Sequence, residues 1–334
     1  MRRAACLLLA TTAAAMTLTA CGEDDGPYLT VYNAQHEELL EEMAPGFTEQ
    51  TGIDVRFRSG DDFELANQLV QEGDASPADV FLTENSPAMS LVDSSGLFAP
   101  LDEQTLAQVP AQFSPSSGTW TGFAARSTVL VYNTDSISAD ELPDSLLDLA
   151  DPAWAGRVAF SPTGADFQAI VSAVLDLEGE QATADWLDGL AEGGEIYDGN
   201  DVVLEAVDSG EVDTGIIYHY YWYRDQEEAG ENSSSSALHF FDDQDPGAFV
   251  SVSGAGVLAS SDKQADAQEF VSYLSSVKGQ QVLADSYALE YPLNPQVELD
   301  PPVMPFQSLE PPRIEVSQLN GPTVTELMQD AGLL

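Results

Sequence analysis

Apolar positions along the chain switch between two periods. Leu29, Thr30, Val31 and Tyr32 form a β-rich run, and Leu39, Leu40 and Met43 then recur at helical spacing until Gly52 interrupts them. This predicts a strand over 29–32 and a helix over 36–47. The rhythm repeats with a strand over 53–57, a helix over 63–71 and an apolar strand over 78–82. Strands separated by single helices indicate an α/β lobe with a largely parallel sheet. Near Arg126 the character changes. The β-rich run 128–132 reads as a crossing into a second lobe, with strands over 157–160 and 214–217 and helices over 167–177, 182–190 and 202–207. A second β-rich run over 249–258 reads as the return crossing, followed by helices over 264–274 and 279–284. Pro301, Pro302, Pro305, Pro311 and Pro312 break up the next stretch, and a last helix is expected over 323–331. The serine run 233–236 reads as a surface loop.

Two α/β lobes joined by β crossings predict a hinge with a ligand cleft between the lobes. The expected boundaries are 28–126 with 251–297 for lobe 1, and 127–250 with 298–334 for lobe 2. A signal peptide over 1–20 and a lipidated tether over 21–27 precede them. Arg2 and Arg3 open the chain, and an apolar run to about Met16 follows, too short for a confident spanning helix. It ends in Leu18-Thr19-Ala20-Cys21, which resembles a lipobox. The resemblance implies cleavage before Cys21, lipid on its sulfur, and anchorage at the outer face of the cytoplasmic membrane.

Cys6 and Cys21 are the two cysteines of the chain. Cys6 leaves with the signal and Cys21 carries lipid, so the mature chain is expected to have no disulfide and no thiolate for zinc, iron–sulfur or nucleophilic chemistry. Fifty-seven acids against 10 Lys and Arg give a formal net charge of −47 at pH 7. That charge disfavours nucleic acid and anionic lipid surfaces as partners. The acids are dispersed, which fits a surface adapted to salt or alkali better than a single site.

Five stretches together are similar to the ferric-ion-binding proteins of bacterial ABC importers. They are Val31-Tyr32-Asn33-Ala34-Gln35-His36, Ser76-Pro77-Ala78-Asp79-Val80-Phe81, Tyr220-Tyr221-Trp222, Asp245-Pro246-Gly247-Ala248-Phe249 and Glu290-Tyr291-Pro292-Leu293-Asn294-Pro295. The likeness runs from Leu29 to about Leu333. It implies a two-lobe periplasmic-binding-protein fold of type II, acting as a monomer that captures Fe(3+) and hands it to an importer's permease and ATPase. The family's metal ligands fall on His36, Glu84, Tyr220 and Tyr221.

The chemistry of that set stands by itself. Ferric iron is a hard trivalent cation that suits oxygen ligands. Two phenolates and a carboxylate balance its charge, with a neutral imidazole as fourth ligand. A synergistic anion (phosphate, carbonate or citrate) would then complete the shell. Neighbouring residues on a strand face opposite ways, so both tyrosines reach one metal only if the strand ends there and turns into a helix. In the family the anion sits on a helix start, which here is Thr163, Gly164 and Ala165, with Asn200 as a further donor. Arg126 either steadies the anion or pairs with an acid. Asn85 and Tyr218 depart from the family's residues, and Tyr218 brings a third phenol near the pair. His219 is expected beside the site or at the surface, pointing away from Tyr220, and His239 is expected to be structural.

Two alternatives use the same residues differently. The fold could bind an organic cation, a sugar or thiamine. A secreted metal-dependent hydrolase could use His36 and Glu84 to activate water. The sequence carries neither HExxH nor GxSxG, so no enzymatic activity is expected.

Overall fold

A computed structural model describes residues 26–299 and 303–334. The expected signal peptide over 1–20, with Cys6, and the lipidation candidate Cys21 lie outside the described residues. The chain opens with β1 (Tyr28–Asn33), α1 (Glu37–Thr51), β2 (Asp54–Ser59), α2 (Asp62–Glu72) and β3 (Val80–Leu82). Both β2 and β3 pair with β1 in parallel, as the alternating pattern predicts. Helix α1 buries Leu39, Leu40, Met43 and Phe47 and stops at Gly52, whose φ of 76° lets its N–H reach back to Thr48 O. A residue with a Cβ would be strained in that left-handed cap.

Next come α3 (Ser86–Ser94), α4 (Glu103–Leu106), β4 (Trp120–Asn133), β5 (Val158–Phe160), α5 (Ala165–Glu178), α6 (Glu180–Gly193), β6 (Glu195–Ile196) and α7 (Asn200–Asp208). The chain continues through β7 (Thr214–Tyr218), α8 (His219–Glu228), β8 (Ser236–His239), β9 (Val250–Val257), α9 (Gln264–Ser275), α10 (Val277–Asp285), β10 (Tyr291–Pro292) and α11 (Gly321–Asp330). The main sheet path runs β2-β1-β3-β9-β4-β7-β5-β6, with β8 and β10 also on β4.

Strand β4 joins the two halves. Its first part, from Trp120 to Ser127, pairs antiparallel with β9, and its second part, from Thr128 to Asn133, pairs with β7 and β8. Each half has its own apolar core. One gathers Val31, Leu39, Phe47 and Phe270, and the other gathers Phe160, Phe167, Trp186 and Met328. The end of the chain touches both, because Val316 packs beside Trp120 and Phe98 while Val324 packs with Phe167.

Several local expectations change. The run 128–132 is the second part of a 14-residue strand that begins at Trp120. Helix α3 was not expected, although Pro87 in its first turn is a common helix-start signal. The serine run is no simple surface loop: Ser233 and Ser236 are buried, Ser233 donates to Asp225, and Ser236 opens β8. His219 does not sit on an alternating strand but starts α8, and it is fully buried.

Candidate metal centre

The turn after β1 is built by side chains. Asn33 Nδ2 donates to Gln35 O (2.8 Å), and Gln35 N donates back to Asn33 Oδ1 (3.1 Å). His36 N donates to Gln35 Oε1 (2.7 Å). His36 stands at the N-cap of α1 but makes no side-chain capping bond, so its ring is free for other work. Nδ1 lies 3.2 Å from Glu290 Oε1, and Nε2 lies 3.5 Å from Glu84 Oε1.

Glu84 follows β3. Its N–H and that of Asn85 donate to the two carboxylate oxygens of Asp62, each at 2.9 Å. Its carbonyl accepts from Arg126 and from Ser253 Oγ (3.2 Å). His36 and Glu84 therefore sit beyond the carboxyl ends of β1 and β3, where open α/β sheets place ligands.

The tyrosines come from the other half. Strand β7 stops at Tyr218 and α8 starts at His219, so Tyr220 and Tyr221 share the first turn of a helix. That break removes the strand geometry that would have sent them to opposite faces. Their rings stack with centroids 4.2 Å apart, and Tyr220 Oη donates to Glu84 Oε1 across the cleft (3.3 Å). The His36 ring meets Tyr220 edge-on at 5.7 Å. Tyr221 Oη turns to Asp166 Oδ2 (3.0 Å).

Asp166 was not singled out from the sequence. It lies in the first turn of α5, directly after Thr163, Gly164 and Ala165, and is 6% exposed. Its Oδ1 accepts from Asn85 Nδ2 (3.2 Å), and Oδ2 accepts from Asn200 Nδ2 (2.9 Å) as well as from Tyr221. Asn200, expected to hold an anion, is thus engaged by a side-chain carboxylate. Thr163, Gly164 and Ala165 line a 680 Å³ cleft together with Asp61, Asp62 and Gln168. Arg126 is fully buried and pairs with an acid: Nη2 lies 2.5 Å from Glu290 Oε2 and 2.7 Å from Ser253 Oγ. Tyr218 Oη turns to Asp166 O (3.3 Å) and Asn85 Oδ1 (3.4 Å). His219 stacks flat on Tyr291 at 4.4 Å, and His239 ends β8 and meets Phe241 edge-on.

Electrostatics follow from this packing. Burial, then the negative charge of Asp166, push the Tyr220 and Tyr221 phenols well above their ordinary range. They are protonated until a cation supplies opposing charge. Burial and then Glu84 raise Asp166 to about 7. Burial would lower His36, but its bond to Glu290 and the charges of Glu84 and Glu290 outweigh that and raise it. Burial would raise Glu290, yet Arg126 and then His36 hold it at about 2. No three His, Cys, Asp or Glu side chains among the described residues are arranged to hold a metal by themselves. Counting the phenols, the His36 imidazole and the Tyr220 phenol meet at the Glu84 carboxylate with the Tyr221 ring stacked alongside, a donor set for a hard, highly charged cation.

The sequence profile of the bacterial extracellular solute-binding protein family matches residues 75–309. The chain belongs to that family. It is 53% identical to the Fe(3+)-binding periplasmic protein of Serratia marcescens, over 98% of this chain and 96% of the relative. It is 37% identical to the major ferric iron-binding protein of Neisseria meningitidis serogroup B, over 91% and 93% of the two chains. Among solved structures, iron-bound HitA from Pseudomonas aeruginosa superposes with a TM-score of 0.86 at 42% identity, covering 92% of this chain and all of that one. These family members are solute-binding proteins rather than enzymes, and their fold is the two-lobe type II arrangement expected from the sequence.

Proposed function

We propose that this chain captures ferric iron between its lobes and delivers it to the permease and ATPase of an importer. The observation that carries the reading is the meeting of His36 Nε2, Glu84 and Tyr220 across the cleft, with Tyr221 stacked on Tyr220. His36 and Glu84 come from lobe 1, taken as 28–126 with 251–297, and the tyrosines from lobe 2, taken as 127–250 with 298–334. Iron bound to both would favour the closed state, because the open state lacks half of the ligands. The ferric-iron names of the relatives support the same reading.

Asp166 belongs in the ligand set. Its carboxylate holds Asn200 and Tyr221 at the start of α5, the place where an external phosphate, carbonate or citrate was expected. Four anionic groups, Glu84, Asp166 and two phenolates, exceed the ion's charge by one. The buried Arg126 guanidinium at the Glu84 carbonyl is itself paired with Glu290, so the loaded site keeps a net charge of −1. Coordination through Asp166 makes an added anion dispensable.

The deciding experiment is titration of metal-free protein with ferric citrate under visible absorption. A phenolate-to-iron charge-transfer band that saturates at one equivalent is expected, and tight binding of iron without it would overturn the reading. The chain is further proposed to act as a monomer, exported by its signal and anchored through a lipid on Cys21. Cys21→Ser should move the protein from the membrane fraction to the soluble fraction, and a cleaved Ser variant that stays on the membrane would exclude the anchor.

A further inference from the structure

Glu290 is fully buried and none of the proposed ligands, yet it touches one of them. It immediately precedes β10, whose Tyr291 pairs with Ala125 and whose Pro292 pairs with Ala124. That register sets Glu290 beside Arg126, the next residue on β4. Leu289, just before it, holds a left-handed φ of 54°, and its carbonyl lies 3.1 Å from His219 Nε2. A non-glycine residue persists in that conformation only where its surroundings dictate it. The backbone at Glu290 is therefore fixed from both sides.

We infer that Glu290 is a positioning residue that decides which ring nitrogen of His36 faces the metal. The inference rests on His36 being an iron ligand. An ionised carboxylate can only accept hydrogen bonds. Arg126 Nη2 and Gln35 Nε2 occupy Glu290 Oε2 at 2.5 and 3.3 Å, which leaves Oε1 for His36 Nδ1 at 3.2 Å. Nδ1 must then carry the ring proton. Nε2, which points toward Glu84 Oε1, keeps its lone pair for a cation. The opposite tautomer would set two lone pairs against each other at Glu290 and aim an N–H at the iron. Arg126 thus governs both lobe 1 ligands: His36 through Glu290, and Glu84 through its carbonyl.

Glu290→Gln tests this with little change of shape. Arg126 has only donors to offer, so the amide oxygen must stay on its side. The amide NH2 then faces His36 Nδ1 and forces the proton onto Nε2. Ring nitrogen NMR of metal-free protein at about pH 8.5, with His36 assigned by its loss in His36→Ala, reads the tautomer. Wild type should show Nδ1–H and Glu290→Gln should show Nε2–H. Ferric affinity, measured by competition with citrate, should fall about 10–100-fold in Glu290→Gln and hardly further when Glu290→Gln is added to His36→Ala. An Nε2–H ring in the wild type overturns the inference, even where the variant does not fold. So does a folded variant with unchanged tautomer and affinity, or an equal loss in the His36→Ala background. If His36→Ala alone leaves affinity unchanged, it is the ligand assignment that fails.

Discussion

Tyr221 Oη donates to Asp166 Oδ2 at 3.0 Å, so a proposed ligand of the metal on α8 is tied to a carboxylate on α5. Asn200 reaches the same oxygen at 2.9 Å. If this carboxylate serves in place of an external anion, wild-type protein should bind ferric iron equally well with and without phosphate, carbonate or citrate. Asp166→Ala should weaken binding at least about tenfold, about 1.4 kcal/mol. Added phosphate or carbonate should recover part of the loss, since Asn200 and the start of α5 are then free to hold it. A wild type that depends on an added anion, or an Asp166→Ala variant with full affinity, would remove Asp166 from the coordination shell.

The two phenols should be separable from the rest by colour. Tyr220→Phe and Tyr221→Phe should each weaken the charge-transfer band and lower ferric affinity by about 100-fold or more, roughly 2.7 kcal/mol. The double variant should lose the band. Both rings pack on apolar neighbours, so circular dichroism should report an intact fold. Full colour in the double variant would show that other groups bind the iron.

Closure should depend on Asn85 as well as on iron. Asn85 follows Glu84, a proposed ligand, and its side chain reaches Asp166 and Ser251. Asn85→Ala should enlarge the radius of gyration of the metal-free protein in small-angle scattering, and iron should restore the compact form. A metal-free variant as compact as wild type would deny Asn85 a part in holding the cleft.

His219 should make stability fall in acid. Burial lowers its pKa to about 3; Glu290 opposes that, and Arg126 adds to it. An unfolded chain takes up this proton near pH 6.5, whereas the folded chain resists until about pH 3. Stability from neutral His219 is therefore complete above about pH 6.5 and lost progressively as pH falls toward 3. Denaturant titrations of metal-free protein should show His219→Asn with a flatter slope in that window, by up to about 1.4 kcal/mol per pH unit. Comparing the two slopes cancels the many shared carboxylates. Parallel slopes would place the sensitivity elsewhere.

What was legible in the sequence was local or carried by short motifs. The alternation of strand and helix periods gave the order from β1 to β3, because burying one face of each element leaves its period in the chain. Gln35-His36 and Tyr220-Tyr221-Trp222 marked the candidate ligands by resemblance. The requirement that the strand end before the tyrosines followed from elementary geometry, and β7 ends at Tyr218. Three decisions belonged to the tertiary structure. Arg126 pairs with Glu290, 164 residues away. Asp166 meets Tyr221, 55 residues away, and Asn85, 81 residues away. His219 is buried between β4 and the segment before β10 rather than placed by strand alternation. In a chain with 57 acids, nothing local separates Asp166 or Glu290 from a solvated carboxylate. Their distinction is burial and partners, and both arise only when β4 brings the two half-sheets and the last crossing together.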